Sequence, residues 1–291
     1  MSMLVRCAAK VNLCLNIVRR RDDGYHDLES LVTAVSVWDH LEITPVPQFV
    51  VEDERGRALG DDNTVWRAAR LLATVWCKPL QVRVRLHKRI PTEAGLGGGS
   101  SDAAGVLLAL RALWGVRWSW RRLLPLAARI GADVPFFLVP TGCAIVKGIG
   151  DQVEPIHLPR LWTVLAKPAE SMPTKDAFNL WDDEPITVNV NPYALVTALV
   201  NGDWVTAQQH AQNAFERLLA ARIPQVTNLK QRLLDAGAKI AVMSGSGTTV
   251  VGVFTDAHSA RRAWERVKLC ASWSVVARTV KRGIVVRRGE P

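Results

Sequence analysis

The sequence predicts an α+β protein of two domains, residues 1–160 and residues 161–291. Three observations support this prediction. The chain has 291 residues, which is long enough to bury two hydrophobic cores. Residues 155–160 have the composition of a linker, and the order of predicted elements changes after them. When the extra helices are left aside, the second half follows the order β-α-β-β-α-β, the split motif of a ferredoxin-like sheet.

The first half is predicted to contain four strands and three helices. The tetrapeptide at residues 61–64 is a helix start signal, because its polar side chains can accept the first free N–H groups. Residues 81–88 alternate between apolar and polar, as in a strand with one exposed face. Residues 19–26 are charged and contain a glycine, which predicts a loop. We therefore expect strands at residues 7–18, 31–37, 41–46 and 81–88, the second and third joined through Trp38-Asp39-His40, and helices at residues 65–75, 103–114 and 120–130.

The second half begins with a strand and carries more helix than a minimal ferredoxin-like sheet needs. Two helices before residue 220 are predicted from an apolar stripe formed by Trp204, Ala207, Ala211, Ala214, Phe215 and Leu218. The remaining predicted elements are strands at residues 161–166, 240–243, 249–254 and 275–280 and helices at residues 226–234 and 257–267.

Cysteine usage and hydropathy predict a cytoplasmic protein. The cysteines form an odd, scattered set with neither CxxC spacing nor a Cys/His cluster of the kind that binds zinc: Cys7, Cys14, Cys77, Cys143 and Cys270. Polar residues interrupt the N-terminal segment, so we expect no secretory signal. No apolar stretch approaches the roughly 20 residues of a membrane span. We therefore expect reduced thiols and no membrane partner.

The formal net charge of +10 is concentrated in two segments. Residues 111–129 hold five arginines and no acid, and residues 256–291 hold nine basic residues against three acids. The first segment interleaves Trp114, Trp118 and Trp120 with its arginines, as nucleic-acid surfaces can. The alternatives are a solvated helix face with tryptophans turned inward, or a cationic rim that attracts a phosphorylated small molecule. No RNA-binding or zinc-finger pattern accompanies the charge, so we expect no nucleic-acid partner.

The most informative segment is the glycine-rich loop at residues 95–101, Gly-Leu-Gly-Gly-Gly-Ser-Ser. Its glycines allow the backbone to approach a ligand closely. The loop leads into a strongly amphipathic helix, whose N-terminus offers free N–H groups and the positive end of the helix dipole. This arrangement favours phosphate oxygens. It matches neither the Walker A pattern nor the dinucleotide GxGxxG pattern, and a flexible linker would hardly be followed at once by a well-marked helix.

Five segments in this order resemble the GHMP kinase superfamily, and the resemblance spans almost the whole chain. They are residues 9–13 (AKVNL), 23–26 (DGYH), 91–103, 131–136 (GADVPF) and 243–247 (MSGSG). The glycine loop is typical of the superfamily as a whole. Its combination with the segments at 9–13, 23–26 and 131–136 is similar to the branch whose acceptor is a cytidine diphosphate-linked alcohol of the non-mevalonate isoprenoid route.

The resemblance implies a fold and an activity. The fold is an N-terminal domain like domain 2 of ribosomal protein S5, which binds the nucleotide and carries catalysis, and a ferredoxin-like C-terminal domain, with the site between them. The activity is ATP-dependent phosphorylation of the 2-hydroxyl of the methylerythritol part of the acceptor, with Mg2+ accompanying ATP. The alternatives are another small-alcohol kinase of the superfamily, or an RNA-binding protein that uses the basic tryptophan-rich segment. The expected oligomeric state is a monomer or a homodimer.

By the same resemblance, Asp133 is the base that takes the proton of the acceptor hydroxyl, and Lys10 orients Asp133 and places positive charge near the transferred group. From the residues themselves, Lys10 could equally be a strand-surface lysine and Asp133 a helix-terminal turn residue.

The resemblance also implies which residues bind the nucleotide: the phosphate loop, residues 91–101, and two flanking residues. They are Asn63, Lys88, Pro91, Thr92, Glu93, Ala94, Gly95, Leu96, Gly97, Gly98, Gly99, Ser100 and Ser101. Asn63 could instead be only a helix cap. Glu93 stands where the family commonly has a small residue, and we expect its carboxylate to point away from the triphosphate. The sequence offers no acidic pair that identifies the protein ligands of Mg2+, and Ser101 at the helix start is named only as a candidate ligand.

For the acceptor, Tyr25 and Phe178 match positions that stack on cytosine, and His26 matches the group that reads the base edge. The other substrate-contacting positions are Asn12, Thr174, Gly245 and Ser246. The last two lie in the glycine segment between two strands, which an ordinary hairpin turn would also explain.

Overall fold

The computed structural model describes residues 2–289. The strands in this part of the chain are β1 (Met3–Arg20), β2 (His26–Pro45), β3 (Val50–Asp53), β4 (Val82–His87), β5 (Cys143–Gly148), β6 (Gln152–Pro155), β7 (Trp162–Lys167), β8 (Ile240–Met243), β9 (Val250–Phe254), β10 (Trp273–Arg278) and β11 (Ile284–Arg288). The helices are α1 (Thr64–Trp76), α2 (Gly98–Leu113), α3 (Trp120–Ile130), α4 (Val134–Phe137), α5 (Thr174–Asp183), α6 (Pro192–Asn201), α7 (Trp204–His210), α8 (Glu216–Arg222), α9 (Pro224–Asp235) and α10 (Ala257–Val267), followed by a 3-10 turn at Lys268–Cys270. None of the helices within the described residues has the length and apolar run of a membrane span.

The first sheet has seven strands. Its main order is β11-β1-β2-β4-β3, β5 also pairs with β2, and β6 pairs with β5. Neighbours are antiparallel except for the parallel pair of β3 and β4. Apolar residues of α1, α2 and α3 pack with the sheet in one core. The strands β3, β5 and β6 were not predicted from the sequence.

The second sheet has the order β10-β7-β9-β8 with every neighbouring pair antiparallel. The helices α9 and α10 contact its strands, which gives the β-α-β-β-α-β connectivity expected for a ferredoxin-like sheet once α5 to α8 are left aside. The predicted α+β fold class is confirmed.

The chain crosses between the two sheets twice within the described residues. The first crossing follows β6 and leads into β7, through residues 156–161. The second follows β10 and leads into β11, which pairs with β1 from Met3↔Arg288 to Cys7↔Ile284. The last strand therefore belongs to the first sheet. The prediction of residues 161–291 as one domain took no account of this return.

The predicted break in the second strand is wrong. Trp38-Asp39-His40 was predicted to join two strands, but β2 is continuous from His26 to Pro45. The pairing of β1 with β2 shifts between Ala8 and Ala9, so an irregularity replaces the turn. Asp39 remains inside the strand although its side chain is fully buried, because the Lys88 ammonium and backbone N–H groups satisfy its carboxylate.

The tryptophans near the first basic segment turn inward. The ring of Trp76 lies edge-on to Trp114 and Trp118, with centroids 6.0 and 5.3 Å apart. All three pack against the core of the first sheet. The Arg122 guanidinium lies over the outer side of this group, 4.2 Å from the centroid of Trp118. The geometry corresponds to the solvated helix face considered above.

Candidate active site

A cleft of about 610 Å3 lies where the glycine loop, the middle of β1 and β2, and the loop after β8 meet. Both halves of the chain line it. The predicted site residues that line the cleft are Lys10, Asn12, Lys88, Pro91, Thr92, Glu93, Ala94, Gly95, Leu96, Gly97, Gly98, Gly99, Ser100, Asp133, Thr174, Phe178, Gly245 and Ser246. Four others, Asn63, Ser101, Tyr25 and His26, do not line it.

The glycine loop is folded as a cradle at the start of α2. Gly97 is the residue before the helix and has a left-handed φ of 66°. A Cβ at this position would lie 2.9 Å from Cγ of Lys10, so only glycine lets the loop pass so close to β1. Gly97 provides no side-chain cap, which leaves the N–H groups of the first turn available to a ligand. A 16-residue helix adds its dipole at the same point.

Lys10 and Asp133 meet at the side of this cradle. Lys10 Nζ lies 3.4 Å from Asp133 Oδ2, and it donates a hydrogen bond of 2.7 Å to Asn12 Oδ1. The Lys10 side chain is 5% exposed and that of Asp133 is 43% exposed. Burial and the hydrogen bond to Asn12 therefore hold the ammonium in one position, while the carboxylate faces the open cleft. The Lys10 backbone N–H also bonds to Leu96 O at 2.9 Å, which ties β1 to the glycine loop.

The loop after β8 closes the cleft from the second domain. Ser244 Oγ donates to Gly95 O at 2.9 Å and accepts from the Asn12 backbone N–H at 3.1 Å. Asn213 Nδ2 donates to Met243 O and Gly245 O at 2.7 and 2.8 Å, which fixes the turn. These contacts hold the turn of the β8–β9 hairpin against the glycine loop, and its role in binding stays a prediction. Ser244 and Asn213 were not among the predicted site residues.

An aromatic group forms the other end of the cleft. Phe178 of α5 lies with its ring stacked on His26, centroids 4.5 Å apart and planes 23° apart, and edge-on to Phe215 at 5.0 Å. His26 Nε2 lies 2.7 Å from Asp182 Oδ1. Phe178 and Phe215 line the cleft, and His26 lies behind Phe178. One end of the cleft is thus apolar. The other end holds the glycine loop and Lys10, whose N–H groups and positive charge favour anions.

Comparison with known proteins extends this picture. Residues 63–140 match the model of the GHMP kinase N-terminal domain, and residues 195–271 match that of the GHMP kinase C-terminal domain. A 4-diphosphocytidyl-2-C-methyl-D-erythritol kinase of Symbiobacterium thermophilum is 39% identical over 96% of this chain and 100% of its own length. The chain belongs to this family of GHMP kinases. The resemblance found in the sequence is confirmed.

Solved structures agree with this kinase family. A crystal structure of a 4-(cytidine 5'-diphospho)-2C-methyl-D-erythritol kinase superposes with a TM-score of 0.82 at 34% identity, and it covers 96% of this chain and 99% of that one. A homoserine kinase from Cytophaga hutchinsonii has a TM-score of 0.79 at 22% identity over 98% and 97% of the two chains, which shows the shared fold.

Several residues of the kinase lie in positions that bear on their predicted roles, all of which stay predictions. Asn63 caps α1 by accepting from the Val65 N–H at 2.9 Å and lies outside the cleft lining. The hydroxyl of Ser101 is buried and finds no hydrogen-bond partner in the described part of the chain, whereas Ser100 lines the cleft. Tyr25 is 59% exposed in the turn before β2.

Glu93 has a left-handed φ of 49°, and its side chain is exposed at the rim of the cleft. Burial lowers the pKa of Lys167, and the carboxylates of Glu170 and Glu93 act against that decrease. Glu93 is thus close enough to β7 for its charge to be felt by a lysine of the second domain. Its orientation relative to a bound triphosphate stays a prediction.

Behind the glycine loop, two buried carboxylates, Asp39 and Asp102, share the ammonium of Lys88, a charge cluster that sequence analysis missed. Lys88 Nζ donates to Asp39 and, at 2.5 Å, to Asp102 Oδ2. Asp39 also accepts the N–H groups of Arg89 and Ile90 at 2.5 and 2.9 Å, whereas Asp102 Oδ1 has no hydrogen-bond partner among residues 2–289. A Cβ on Gly98 would lie 3.3 Å from Lys88 Nζ, so the cluster supports the first turn of α2.

One ammonium cannot neutralise two buried carboxylates, and the cluster divides the charge unequally. Burial raises the pKa of Asp102 to about 7, although Lys88 acts to lower it. Burial also acts to lower the pKa of Lys88, but the two carboxylates outweigh it and the pKa is raised. Asp102 therefore binds a proton more readily in the folded protein than an exposed aspartate does.

Replacing Asp102 with asparagine is expected to reduce the pH dependence of stability. The folded pKa of about 7 exceeds the ordinary value of 3.8, so this group favours the folded state at low pH. That contribution is lost as the pH rises from about 4 through about 7. Urea unfolding of the wild type should show lower stability at about pH 8 than at about pH 5, by about 1 kcal/mol or more from this group.

In the Asp102→Asn variant this decline should be smaller. Asp235→Asn is the matched control, since Asp235 is an exposed carboxylate on α9 that bonds only to Gln231 among the described residues. It should keep the slope of the wild type. Parallel slopes for all three proteins would show that Asp102 does not titrate in this range.

Proposed function

We propose that this kinase transfers the γ-phosphoryl group of ATP to the 2-hydroxyl of 4-diphosphocytidyl-2-C-methyl-D-erythritol. The observation that carries the proposal is the position of the Lys10–Asp133 pair at the side of the glycine cradle, within one cleft. An anion cradle next to an open carboxylate is the minimum that phosphoryl transfer to an alcohol requires. The names of the relatives supply the identity of the acceptor.

The triphosphate is held by the backbone of the phosphate loop. The free N–H groups at the start of α2 point to where phosphate oxygens bind, and the helix dipole adds a favourable potential. Lys10 lies against Gly97, so its ammonium adds a full positive charge beside the same cradle. The phosphoryl group is mainly stabilised by such positioned charge, since the protein forms no covalent bond to it.

Asp133 accepts the proton of the acceptor hydroxyl. In a loose transition state the proton leaves late, so a well-positioned carboxylate is sufficient even though aspartate is a weak base for an alcohol. The alcohol oxygen forms its new bond to phosphorus as ADP departs, and the proton passes to Asp133. Lys10 holds the carboxylate in place through the contact of 3.4 Å and limits the repulsion between it and the incoming phosphates.

Mg2+ fits this arrangement as a metal carried with the nucleotide. It is usually bound through substrate phosphates with one or two carboxylates and retained waters. Within residues 2–289 no group of three or more His, Cys, Asp or Glu side chains is arranged as a metal site, while Glu93 and Asp133 are the carboxylates that line the cleft. When bound, the metal would neutralise phosphate charge.

The cytidine is held at the aromatic end of the cleft. Phe178 presents an apolar surface there. His26 was predicted to read the base edge, but it lies behind Phe178, so its role in this proposal is to keep the Phe178 ring in place. Stacking contributes about 1–3 kcal/mol per base but does not select among bases, so polar groups such as Thr174 and Ser246 would supply the choice. Their hydroxyl oxygens lie 3.0 Å apart, and both residues belong to the second half of the chain.

An ADP-release assay with a panel of alcohols tests the proposal. The cytidine-linked alcohol should be turned over, and homoserine and mevalonate should not. Phe178→Ala should raise the KM for the acceptor about 5- to 150-fold, the equivalent of the stacking energy, with little change in the KM for ATP. Tyr193→Ala is the control, because Tyr193 is an exposed aromatic on α6 outside the cleft lining. Equal turnover of another alcohol, or an unchanged acceptor KM, would contradict the assignment.

We also propose that the kinase acts in the cytoplasm as a monomer or homodimer without a nucleic-acid partner. All five cysteines are free thiols, which suits a reducing compartment. Sedimentation of the purified protein with and without RNA checks the last two points.

A further inference from the structure

A second cavity, of about 520 Å3, lies on the other side of the first sheet from the cleft. Val32 of β2 lines the cleft, and the next residue, Thr33, lines this cavity. Successive residues of a strand point to opposite faces, so the sheet separates the two spaces. No residue is shared between the two linings.

The ionisable groups of its lining give this cavity a positive charge. Its lining includes four permanent cations, Arg160, Arg278, Lys281 and Arg282, together with His157, and no carboxylate. Across residues 2–289, none of these four cations lies within 4.0 Å of a carboxylate oxygen. By contrast, Arg19, Arg57 and Arg85 each form an ion pair. Like charges in a concave space repel one another, and a bound polyanion would relieve that repulsion.

The backbone of the cavity is already fixed. Gly142 approaches the second crossing so closely that a Cβ would lie 2.2 Å from Val280 O. The Thr279 N–H donates to Leu161 O at 2.9 Å, and Thr279 Oγ1 accepts from the Leu161 N–H at 3.0 Å. The Val280 N–H donates to Ala34 O at 3.0 Å. A ligand would thus meet a preformed wall and would not have to order a loop.

The cations come from both crossings between the sheets. Arg160 lies on the first crossing, at residues 156–161, and Lys281 and Arg282 lie on the second, which follows β10. Arg278 is the last residue of β10. A phosphate group that contacts Arg160 and Arg282 together would connect the two crossings. Arginine suits this role because its planar fork binds phosphate oxygens in pairs.

We propose that this cavity is a second anion site, which binds a small phosphate or diphosphate ester independently of the catalytic cleft. The volume of about 520 Å3 is that of a small-molecule site. The remaining lining residues include threonine hydroxyls and apolar side chains, such as Thr141 and Leu158, which suit an ester with an organic part. Arg278, Lys281 and Arg282 belong to the basic C-terminal segment, residues 256–291, and the catalytic cleft gives them no role.

Calorimetric titration with inorganic pyrophosphate tests the site. The protein is first saturated with a non-hydrolysable ATP analogue so that the cleft is filled. One equivalent of pyrophosphate should still bind. In the Arg160→Ala/Arg282→Ala double variant the Kd of this component should rise at least about tenfold, since each charged hydrogen bond lost contributes about 1.5–3 kcal/mol. Retained ADP-release activity shows that the variant is folded.

The matched control is Arg261→Ala/Arg262→Ala, which removes the same charge from exposed positions on α10 outside the cavity. It should bind pyrophosphate as the wild type does. Equal weakening in both double variants would show a diffuse effect of net charge and overturn the proposal, as would the absence of binding to the saturated wild type. A single-stranded RNA that binds more tightly than pyrophosphate, and equally in both variants, would also overturn it. Both double variants leave the cleft lining unchanged, so their comparison tests the second cavity whether or not the proposed function is correct.

Discussion

Replacing Asp133 with asparagine is expected to lower kcat by about 10²- to 10⁴-fold while the KM for ATP changes little. Asparagine has nearly the shape of aspartate, but it cannot take a proton from the acceptor hydroxyl. The phosphate cradle at the start of α2 is built from backbone N–H groups and is not altered by the change. Steady-state kinetics with both substrates separate the two parameters.

A control variant distinguishes the loss of a base from a general effect of one lost charge. Asp235→Asn removes a carboxylate from the surface of α9, outside the cleft lining, and should retain the wild-type kcat. If Asp133→Asn were as active as this control, the carboxylate would not be the base. A rise in the KM for ATP with unchanged kcat would instead assign Asp133 to the nucleotide.

Replacing Gly95 with alanine is expected to lower the free energy of unfolding by about 2–5 kcal/mol and to reduce turnover strongly. Gly95 has a φ of 73°, which costs an alanine about 1 kcal/mol or more. Its Cβ would also lie 2.0 Å from Ser244 O and 2.9 Å from Ser244 C, both backbone atoms. The clash therefore separates the glycine loop from the loop after β8, and the hydrogen bond from Ser244 to Gly95 O is lost with it. Urea unfolding and ADP release measure the two effects.

Gly56 offers a matched control for the strain. Its φ is 77°, but apart from its two chain neighbours no atom of the described residues lies within 4 Å of the position of a Cβ. Gly56→Ala should thus show only the backbone cost, about 1 kcal/mol, and normal turnover. Similar losses in the two variants would mean that the contact with Ser244 contributes nothing.

Elements with strong local signals were predicted at their observed bounds. The amphipathic helix α3 ends before Gly131, and β8 and α10 also lie where the sequence predicted them. The strand β2 was predicted as two because an aspartate usually breaks a buried strand. The residue that neutralises Asp39 is Lys88, 49 positions away, so no local pattern could have revealed the pairing.

The site residues divide in the same way, into those that a local motif predicted and those that depend on distant partners. The phosphate loop, Lys10 and Asp133 were predicted because they lie in short motifs, and the structure brings them into one cleft. Asn213 was missed because its partner Met243 lies 30 positions away. Ser244 lies in the segment 243–247, but its contact with Gly95, 149 positions away, has no local signal. Asp102 follows the motif directly, but only burial distinguishes it from an ordinary residue of the first helical turn.

The pairing of β11 with β1 has a consequence for how the chain folds as it is made. Ile284–Arg288 is made after the strands β1 to β10, so one edge of β1 has no neighbour while residues 21–283 are translated. The unpaired edge spans Met3–Cys7, since β2 pairs with the other edge of β1, and an unpaired strand edge is a site for aggregation until its partner has been translated. The first sheet therefore reaches its full width only once β11 has been made and has paired with β1, where the Gly289 N–H also bonds to Ser2 O at 3.0 Å.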